Sequence, residues 1–336
     1  MKSLVCRHIK YFSRCFTIAM SLFPFSLFAG EGGIFISDAK VIMSDQKALI
    51  LHNSNEEILV LGENLEADKF TGLIRFIPFP SEPIVNIASK EVFEKTNDLI
   101  KKHQLKYLYS TKSGNFLQDV NVKYQKTAAV RNIKVVKITS IKSFHQWLNQ
   151  YSKNNKCSIS KNNDLDGIVS DYIGRGFHWF VFDYIDVSTD SQMTTPIVYR
   201  FKSKTLYFPL KTSNIFKGIE DESNDWIVKK GIDLMIIAPC TAVNPNISGI
   251  PDKNKSLGPE MNFSSSSELF YNEINDIVAP SAFFPKNQKI FLQISNFCGN
   301  YHFTKDISYD FQQSVPKAVE LKESSFFDDK SFYNNK

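Results

Sequence analysis

Two neighbouring apolar runs, separated by three small polar residues, constrain the fold of this chain most strongly. Residues 47–52 and 56–61 are rich in Leu, Ile and Val, and Asn53, Ser54 and Asn55 lie between them. A short apolar run bounded by turn-forming residues is typical of a β-strand, and a connection of three residues is typical of a β-hairpin. The pattern predicts a hairpin over residues 47–61.

Further strands and helices follow from the same reasoning. Segments 89–103, 140–151 and 164–174 carry apolar residues at helical spacing, with Ser89 and Asp164 as N-terminal caps of the first and third. Strands are predicted over 72–80, 129–138, 177–187, 197–202, 206–210, 232–238 and 289–297. Pro78 and Pro80 are expected to end the first of these, and 197–210 is expected to form a second hairpin. The order predicts an α+β fold: a mostly antiparallel or mixed sheet with about three helices packed on it.

The N-terminus has the pattern of a secretory signal peptide. Basic residues precede an uncharged apolar run over 15–29, and the small residues Ala29 and Gly30 mark the cleavage site at its end. The run is shorter than the roughly 20 residues that span a bilayer, which favours a cleaved leader over an anchor. The chain is therefore predicted to be exported, to the periplasm or beyond the cell.

Charge and hydropathy exclude two classes of partner. Without the leader, 36 Lys and Arg face 35 Asp and Glu, and no basic cluster stands out. Near-neutral charge argues against binding nucleic acid. No later apolar stretch is long enough to span a membrane, so no transmembrane segment is expected after cleavage.

The mature chain is predicted to fold over residues 30–300. It forms either one α+β domain or two subdomains, 30–138 and 139–300. Residues 241–267 are rich in Asn, Pro, Ser and Gly and are predicted to form a long polar loop. The charged tail 317–336 is predicted to be disordered.

Three cysteines follow the leader. Cys240 and Cys298 each stand at the end of an apolar strand-like run, whereas Cys157 lies in a polar segment. In an oxidising compartment, a Cys240–Cys298 disulfide is one prediction; three unpaired thiols are equally compatible with the sequence.

Five polar residues are candidates for ligand binding. Asp45, Gln46 and Lys47 form a polar cluster beside a strand, although a turn with Asp45 as cap is the favoured interpretation. Arg75 either faces inward against an acid or faces solvent, and the second is favoured. Arg175 stands between two glycines, of which Gly174 is predicted to adopt the left-handed conformation that ends a helix.

Motifs for chemistry are absent. The histidines are isolated, no Cys-x-x-Cys or His-Glu-x-x-His occurs, and no metal or cofactor is predicted. No Gly-x-Ser-x-Gly elbow occurs, and Ser264–Ser267 is interpreted as a low-complexity loop.

Several short segments together resemble a known family. Residues 44–50, 77–80, 144–149, 169–176, 197–201 and 206–210 are collinear with the bacterial family catalogued as domain of unknown function 2330. The resemblance covers roughly residues 30–240 and implies export and a shared fold, without an assigned activity. Glu31 stands where that family has a cysteine after the leader, so any bond made by that cysteine is absent here.

Two functional hypotheses remain. The favoured one is a non-catalytic envelope protein that binds an envelope protein, peptide or glycan through its strand-rich surface. The alternative is a periplasmic enzyme, a hydrolase whose catalytic residues are scattered in sequence. A role in assembly would show as an uncovered sheet edge or an apolar patch.

Overall fold

A computed structural model describes most of the chain between residues 32 and 310. The described residues are 32–35, 39, 41–105, 132–156, 159, 164–215, 232–241, 249–251, 261–263, 265–274, 277, 283–297, 301–303 and 305–310. The predicted leader 1–29, the predicted tail 317–336, Cys157 and Cys298 lie outside them.

The described residues contain seventeen strands. They are β1 Gly32–Phe35, β2 Val41–His52, β3 Glu56–Ala67, β4 Thr71–Phe79, β5 Ile84–Ile87, β6 Asn132–Lys137, β7 Trp179–Val187, β8 Gln192–Met193, β9 Ile197–Lys202, β10 Thr205–Phe208, β11 Ile232–Ala238, β12 Gly249–Pro251, β13 Met261–Phe263, β14 Ser267–Leu269, β15 Ile290–Phe297, β16 Tyr301–Phe303 and β17 Ile307–Asp310.

The three predicted helices are confirmed as α1 Glu91–Lys102, α2 Ile141–Asn154 and α3 Leu165–Gly174. A one-turn helix, α4 Tyr271–Ile274, and a 3₁₀ helix, Lys211–Ile215, were not predicted. The predicted apolar face of α1 is buried throughout. Ser140 caps α2, accepting the Ser143 backbone N–H over 3.1 Å. None of the described helices combines the length and apolar character that a bilayer-spanning helix requires.

The larger sheet has nine strands, built around the predicted hairpin. Its order is β13-β15-β11-β2-β3-β9-β5, with β14 paired to β15 and β8 to β3. The hairpin β2–β3 is confirmed, with residues 53–55 as its loop. The β11–β2 pair is parallel, whereas the other described pairs in this sheet are antiparallel.

The smaller sheet has the order β1-β4-β7-β6. Both sheets mix strands from before and after residue 138, so a division there does not separate two sheets. Pro78 lies inside β4 instead of ending it. Its carbonyl accepts the Tyr207 hydroxyl over 2.9 Å, and the β4–β7 pairing continues past it to Phe79.

The two sheets and the helices form four layers. One apolar cluster lies between the sheets, joining Ile77 and Phe79 of β4 to Ile50 of β2 and Leu59 of β3. A second packs α1 and α4 on the outer face of the larger sheet, and a third packs α2 and α3 on the outer face of the smaller one. The predicted α+β class is confirmed.

One predicted connection, the hairpin over 197–210, is wrong. β10 pairs with β17 rather than with β9, because both edges of β9 are already occupied by β3 and β5. The predicted loop 241–267 contains β12, β13 and the first residue of β14, and its other residues, except Thr241, Ser265 and Ser266, lie outside the described part of the chain.

The end of α3 also differs from the prediction. Gly174 is still helical, and Gly176, with φ +86°, is the left-handed residue. Gly176 N–H donates to Ile173 C=O over 3.0 Å and Phe177 N–H to Tyr172 C=O over 2.9 Å, the two bonds of a Schellman motif. The Tyr172 and Phe177 rings stack at 5.8 Å across this turn.

Candidate functional site

The predicted polar cluster at residues 44–47 is strand and bulge instead of turn. β2 runs through it, with a bulge between Met43 and Gln46. Asp45 lies within this bulge, and its side chain is outside the described part of the structure. Gln46 and Lys47 are both buried but alternate to opposite faces of the sheet. The three residues therefore do not form one binding site.

Gln46 instead joins Arg75 between the two sheets. Gln46 lies directly opposite Glu63 on β3, and Arg75 lies directly opposite Asp183 on β7. Arg75 Nη2 donates to Asp183 Oδ2 over 2.6 Å, and Nη1 forms an ion pair with Glu63. The favoured prediction that Arg75 faces solvent is wrong, since β4 is buried on both faces. The inward alternative, with an acid as partner, is the observed one.

This polar layer divides the space between the sheets. Val41, Leu65, Leu73, Ile185 and Val187 form an apolar cluster on one side of it, and the larger inter-sheet cluster lies on the other. The four side chains are at most 3% exposed. Both amide atoms of Gln46 lack a hydrogen-bond partner among the described residues. A ligand could reach this layer only by separating the sheets, so it serves the fold.

Arg175, the fifth candidate, holds three elements together. It lies between α3 and β7, where its Nη2 contacts Asp306 Oδ2 over 2.9 Å and its Nε contacts Asp171 over 3.0 Å. Asp306 Oδ1 also accepts the Tyr172 hydroxyl over 2.7 Å and the Lys211 N–H over 2.9 Å. Burial alone would lower the pKa of Arg175, but Asp306 raises it above its usual value. The acceptors that surround the guanidinium point to a structural role.

A second buried pair lies on the hairpin. His52 and Glu57 are directly opposite each other and fully buried. Burial lowers the pKa of His52 from 6.5 to about 4, against an opposing effect of hydrogen bonds to the backbone of Thr205 and Ser203. Burial raises the pKa of Glu57 well above its usual value, although its Oε2 accepts the Tyr207 N–H over 2.7 Å. His52 is therefore neutral near pH 7, and burial favours the neutral form of Glu57 as well.

The register of β11 and β15 bears on the predicted Cys240–Cys298 disulfide. Ala238 lies opposite Phe291, and Ile232 lies opposite Phe297. Buried Cys240 follows the Ala238 end, whereas the chain leaves β15 towards Cys298 at the Phe297 end, about 20 Å away at 3.4 Å per residue. Cys298 itself is outside the described residues. The disulfide stays a prediction, and this register disfavours it because bridged Cα atoms are about 4.4–6.8 Å apart.

A groove on the α1 face of the larger sheet is accessible to a ligand. Its volume is about 400 Å³. Its floor is formed by residues of β3, β9 and β5, and its walls by the first turns of α1 and by Ile277. The lining residues are Ile58, Ile84, Asn86, Ile87, Ala88, Ser89, Glu91, Val92, Lys95, Val198, Arg200 and Ile277.

β5 borders this groove as an edge strand. It pairs with β9 on one side, and no other described strand pairs with its opposite edge. Ile84 is 63% exposed and Ile87 60% exposed, although both belong to a strand. An open strand edge with exposed apolar side chains is unusual, because such edges pair readily with other chains. This edge and groove form the candidate binding site.

The sequence contained one signal for this site. The run Ile84-Val85-Asn86-Ile87 follows Pro83 closely and is too short to stand out among the longer strands. Its position at a sheet edge follows only from the pairing of β9 with both β3 and β5. Within the described residues, no three His, Cys, Asp or Glu side chains converge as a metal site.

Comparisons with known proteins give only distant structural likenesses. No family model matches the chain, and no characterised protein matches its sequence. Baculovirus P35 is similar over 82% of this chain and 98% of its own, with TM-score 0.40 and 9% identity. The caspase-8/P35 complex gives TM-score 0.36 at 8% identity over 80% of this chain and 96% of that one. Mutated P35 after caspase cleavage gives TM-score 0.34 at 8% identity, over 80% and 99%. These values carry no inference about function.

Proposed function

We propose that this protein is an exported envelope protein that binds an extended peptide segment of a partner protein by adding it as a strand beside β5. The observation that carries the proposal is the open, apolar edge of β5. Alternate residues of an edge strand direct their backbone N–H and C=O outward, where a peptide strand can pair with them. Such pairing supplies affinity without demanding a particular sequence.

The groove supplies the side-chain preference. Ile84 and Asn86 lie opposite Arg200 and Val198, on the face that carries the groove. In a strand added beside β5, every second side chain would point towards the same face. Ile84 and Ile58 offer apolar contact there, while Glu91 and Lys95 border the groove with charge. The favoured ligand is therefore an extended peptide with apolar residues at alternate positions and polar residues between them.

Export belongs to the same proposal and rests on the leader pattern. Cleavage after Ala29 would leave β1, which begins at Gly32 and pairs with β4, intact on the folded protein. Expression of the full chain in a bacterial host, followed by N-terminal sequencing of the periplasmic fraction, tests this part. We expect a mature N-terminus near Gly30. Cytoplasmic protein with an intact N-terminus would contradict it.

The binding test uses a fluorescein-labelled seven-residue peptide with alternating Val and Thr and the purified mature chain. Fluorescence anisotropy is expected to show saturable binding. The same peptide with N-methyl groups on the backbone amides of one edge cannot pair with β5 on that edge. Two such peptides, one methylated on each edge, should differ, and one of them should lose binding.

Substitutions locate the site. Ile84→Lys places a charge on the groove face and should weaken binding at least tenfold. Phe70→Lys is the matched control, because Phe70 is 70% exposed but lies in the β3–β4 connection, outside the groove lining. Equal binding of both methylated peptides, or unchanged affinity of Ile84→Lys, would overturn the proposal.

A further inference from the structure

The end of α1 and two neighbouring elements from much later in the chain bring a histidine, a serine and a glutamate together. His103 follows the last residue of α1, Ser267 opens β14, and Glu273 lies in α4. Leu269, two residues after Ser267, is buried in the cluster that packs α1 on the larger sheet. Because side chains two apart on a strand share a face, Ser267 points towards α1.

The end of α1 fixes the position of His103. Gln104 N–H donates to Lys101 C=O over 3.1 Å and Leu105 N–H to Ile100 C=O over 3.2 Å, with Gln104 in the left-handed conformation at φ 51°. These are the two bonds of a Schellman motif. His103 N–H also donates to Leu99 C=O over 2.9 Å. The imidazole is therefore held by a defined backbone turn at the end of the helix.

The three side chains form a continuous hydrogen-bonded chain. His103 Nδ1 lies 2.8 Å from Ser267 Oγ, and His103 Nε2 lies 3.0 Å from Glu273 Oε1. The side chains of His103 and Glu273 are 12% and 6% exposed. A nucleophile bonded to a base, with the base bonded to a third group, is the arrangement that activates serine hydroxyls in enzymes.

The ionisation state of the Glu273 carboxyl group decides which nitrogen of His103 carries the proton. Burial alone would raise the pKa of Glu273, but hydrogen bonds from Lys102, the Phe270 N–H and His103 lower it to about 2. The carboxylate is therefore ionised and accepts a proton-bearing Nε2. In the neutral imidazole the lone pair then lies on Nδ1, directed at the Ser267 hydroxyl.

We propose that Ser267 is a nucleophile for ester hydrolysis, that His103 is its general base, and that Glu273 positions the imidazole. The Ser267 oxygen attacks the ester carbonyl carbon while its proton passes to His103 Nδ1. The bond to the alcohol oxygen then breaks, and Nδ1 returns the proton to the departing alcohol. A water then attacks the acyl carbon while Nδ1 takes its proton; the bond from that carbon to Ser267 Oγ breaks, Nδ1 returns the proton to Oγ, and the carboxylic acid leaves.

The surroundings indicate the class of ester. Phe270, three residues after Ser267 and bonded through its N–H to Glu273 Oε2 over 2.7 Å, is 74% exposed. Its exposed ring, three positions from the nucleophile in the chain, is an apolar group that a substrate could contact. Ser267 itself is only partly buried, so a substrate can approach from solvent. An ester with a short apolar acyl group fits this surface. This activity is the hydrolase alternative that the sequence left open, and it uses the opposite end of α1 from the peptide groove.

A fluorophosphonate probe tests the nucleophile directly. The purified mature chain is incubated with the probe at pH 7.5, and the modified peptide is identified by mass spectrometry. A general base contributes about 10²–10⁴ to rate, so Ser267 should react at least a hundredfold faster than the neighbouring Ser266. 4-Nitrophenyl butyrate should also give a burst of product, with an acyl group on Ser267.

The variants separate catalysis from structure. Ser267→Ala should abolish labelling, whereas Ser266→Ala, the matched control, should label normally. His103→Gln should reduce labelling at least a hundredfold. Glu273→Gln should shift the pH profile of labelling, which loss of a structural contact alone would not do. Folded wild-type protein that stays unlabelled, or that labels equally at several serines, would overturn the proposal. Neither outcome bears on peptide binding at β5.

Discussion

Arg75 on β4 lies directly opposite Asp183 on β7, with Nη2 2.6 Å from Oδ2 in the closed space between the two sheets. Glu63 on β3 contacts the same guanidinium from the other sheet. One cation therefore joins the two sheets by pairing with a carboxylate on each. Its removal would leave two buried carboxylates without their cation.

We expect Arg75→Ala to lower the free energy of unfolding by about 3–5 kcal/mol, the usual cost of leaving buried charge unpaired. Urea denaturation at pH 7 measures it. Arg200→Ala is the control, because the Arg200–Glu56 pair is partly exposed, at 37% and 29%, and should contribute at most about 1 kcal/mol. Equal losses in the two variants would contradict a special role for the inter-sheet pair.

The α3 terminus offers a matched pair of glycines. Gly176→Ala should destabilise the protein by roughly 1–2 kcal/mol, because an L-residue at φ +86° is strained although no atom crowds the added Cβ. Gly174→Ala should be neutral or stabilising by up to about 1 kcal/mol, since Gly174 is helical and its surroundings are equally open. Thermal unfolding compares them. The opposite order would place the left-handed residue at Gly174.

The buried His52 makes the stability of the folded protein depend on pH. Its folded pKa of about 4 lies below the 6.5 of the unfolded chain, so the unfolded state binds the proton first as pH falls. The contribution of His52 to the free energy of unfolding is complete above pH 6.5. It is lost progressively as pH falls towards 4, and the total loss is on the order of 3 kcal/mol. Urea titrations between pH 4 and 7.5 should show the difference in unfolding free energy between the wild type and His52→Gln change by this amount, in favour of the variant, as pH falls.

Glu57 changes the stability with pH in the opposite direction. Its folded pKa lies well above the ordinary 4.5, so its contribution is present below pH 4.5 and is lost as pH rises through the folded pKa. Glu57→Gln keeps an acceptor for the Tyr207 N–H but cannot ionise. We expect the variant to gain stability over the wild type as pH rises above 4.5, measured by urea denaturation. Glu94→Gln, at an exposed glutamate on α1, is the matched control.

The sequence predicts those local elements whose formation depends only on residues within the same short segment. The hairpin β2–β3 needs only two apolar runs and a three-residue loop, and the buried face of α1 needs only helical spacing. Arg75 was assigned to the wrong side because alternation along one strand defines two faces without saying which is covered. Both faces of β4 are covered, one by the larger sheet and one by α2 and α3.

The candidate sites show the same limit. Gln46 and Arg75 were selected separately, and only Glu63 and Asp183, which no motif connects to them, explain why they are buried together. In the sequence, His103 is one of several isolated histidines and Ser267 is part of a low-complexity loop. Their contact spans 164 positions in the chain and depends on β14 pairing with β15.

By itself, the sequence determined which segments have the apolar spacing of a helix and which that of a strand. It also determined the ends of the helices to within a few residues, and the α+β class. These depend on backbone sterics and on apolar spacing within about ten residues. The tertiary structure alone decided which strand became an edge, which charges were buried, and which distant side chains met. Those outcomes depend on the pairing of segments far apart in the chain, where the free energy comes from burial shared between elements that carry no local signal of one another.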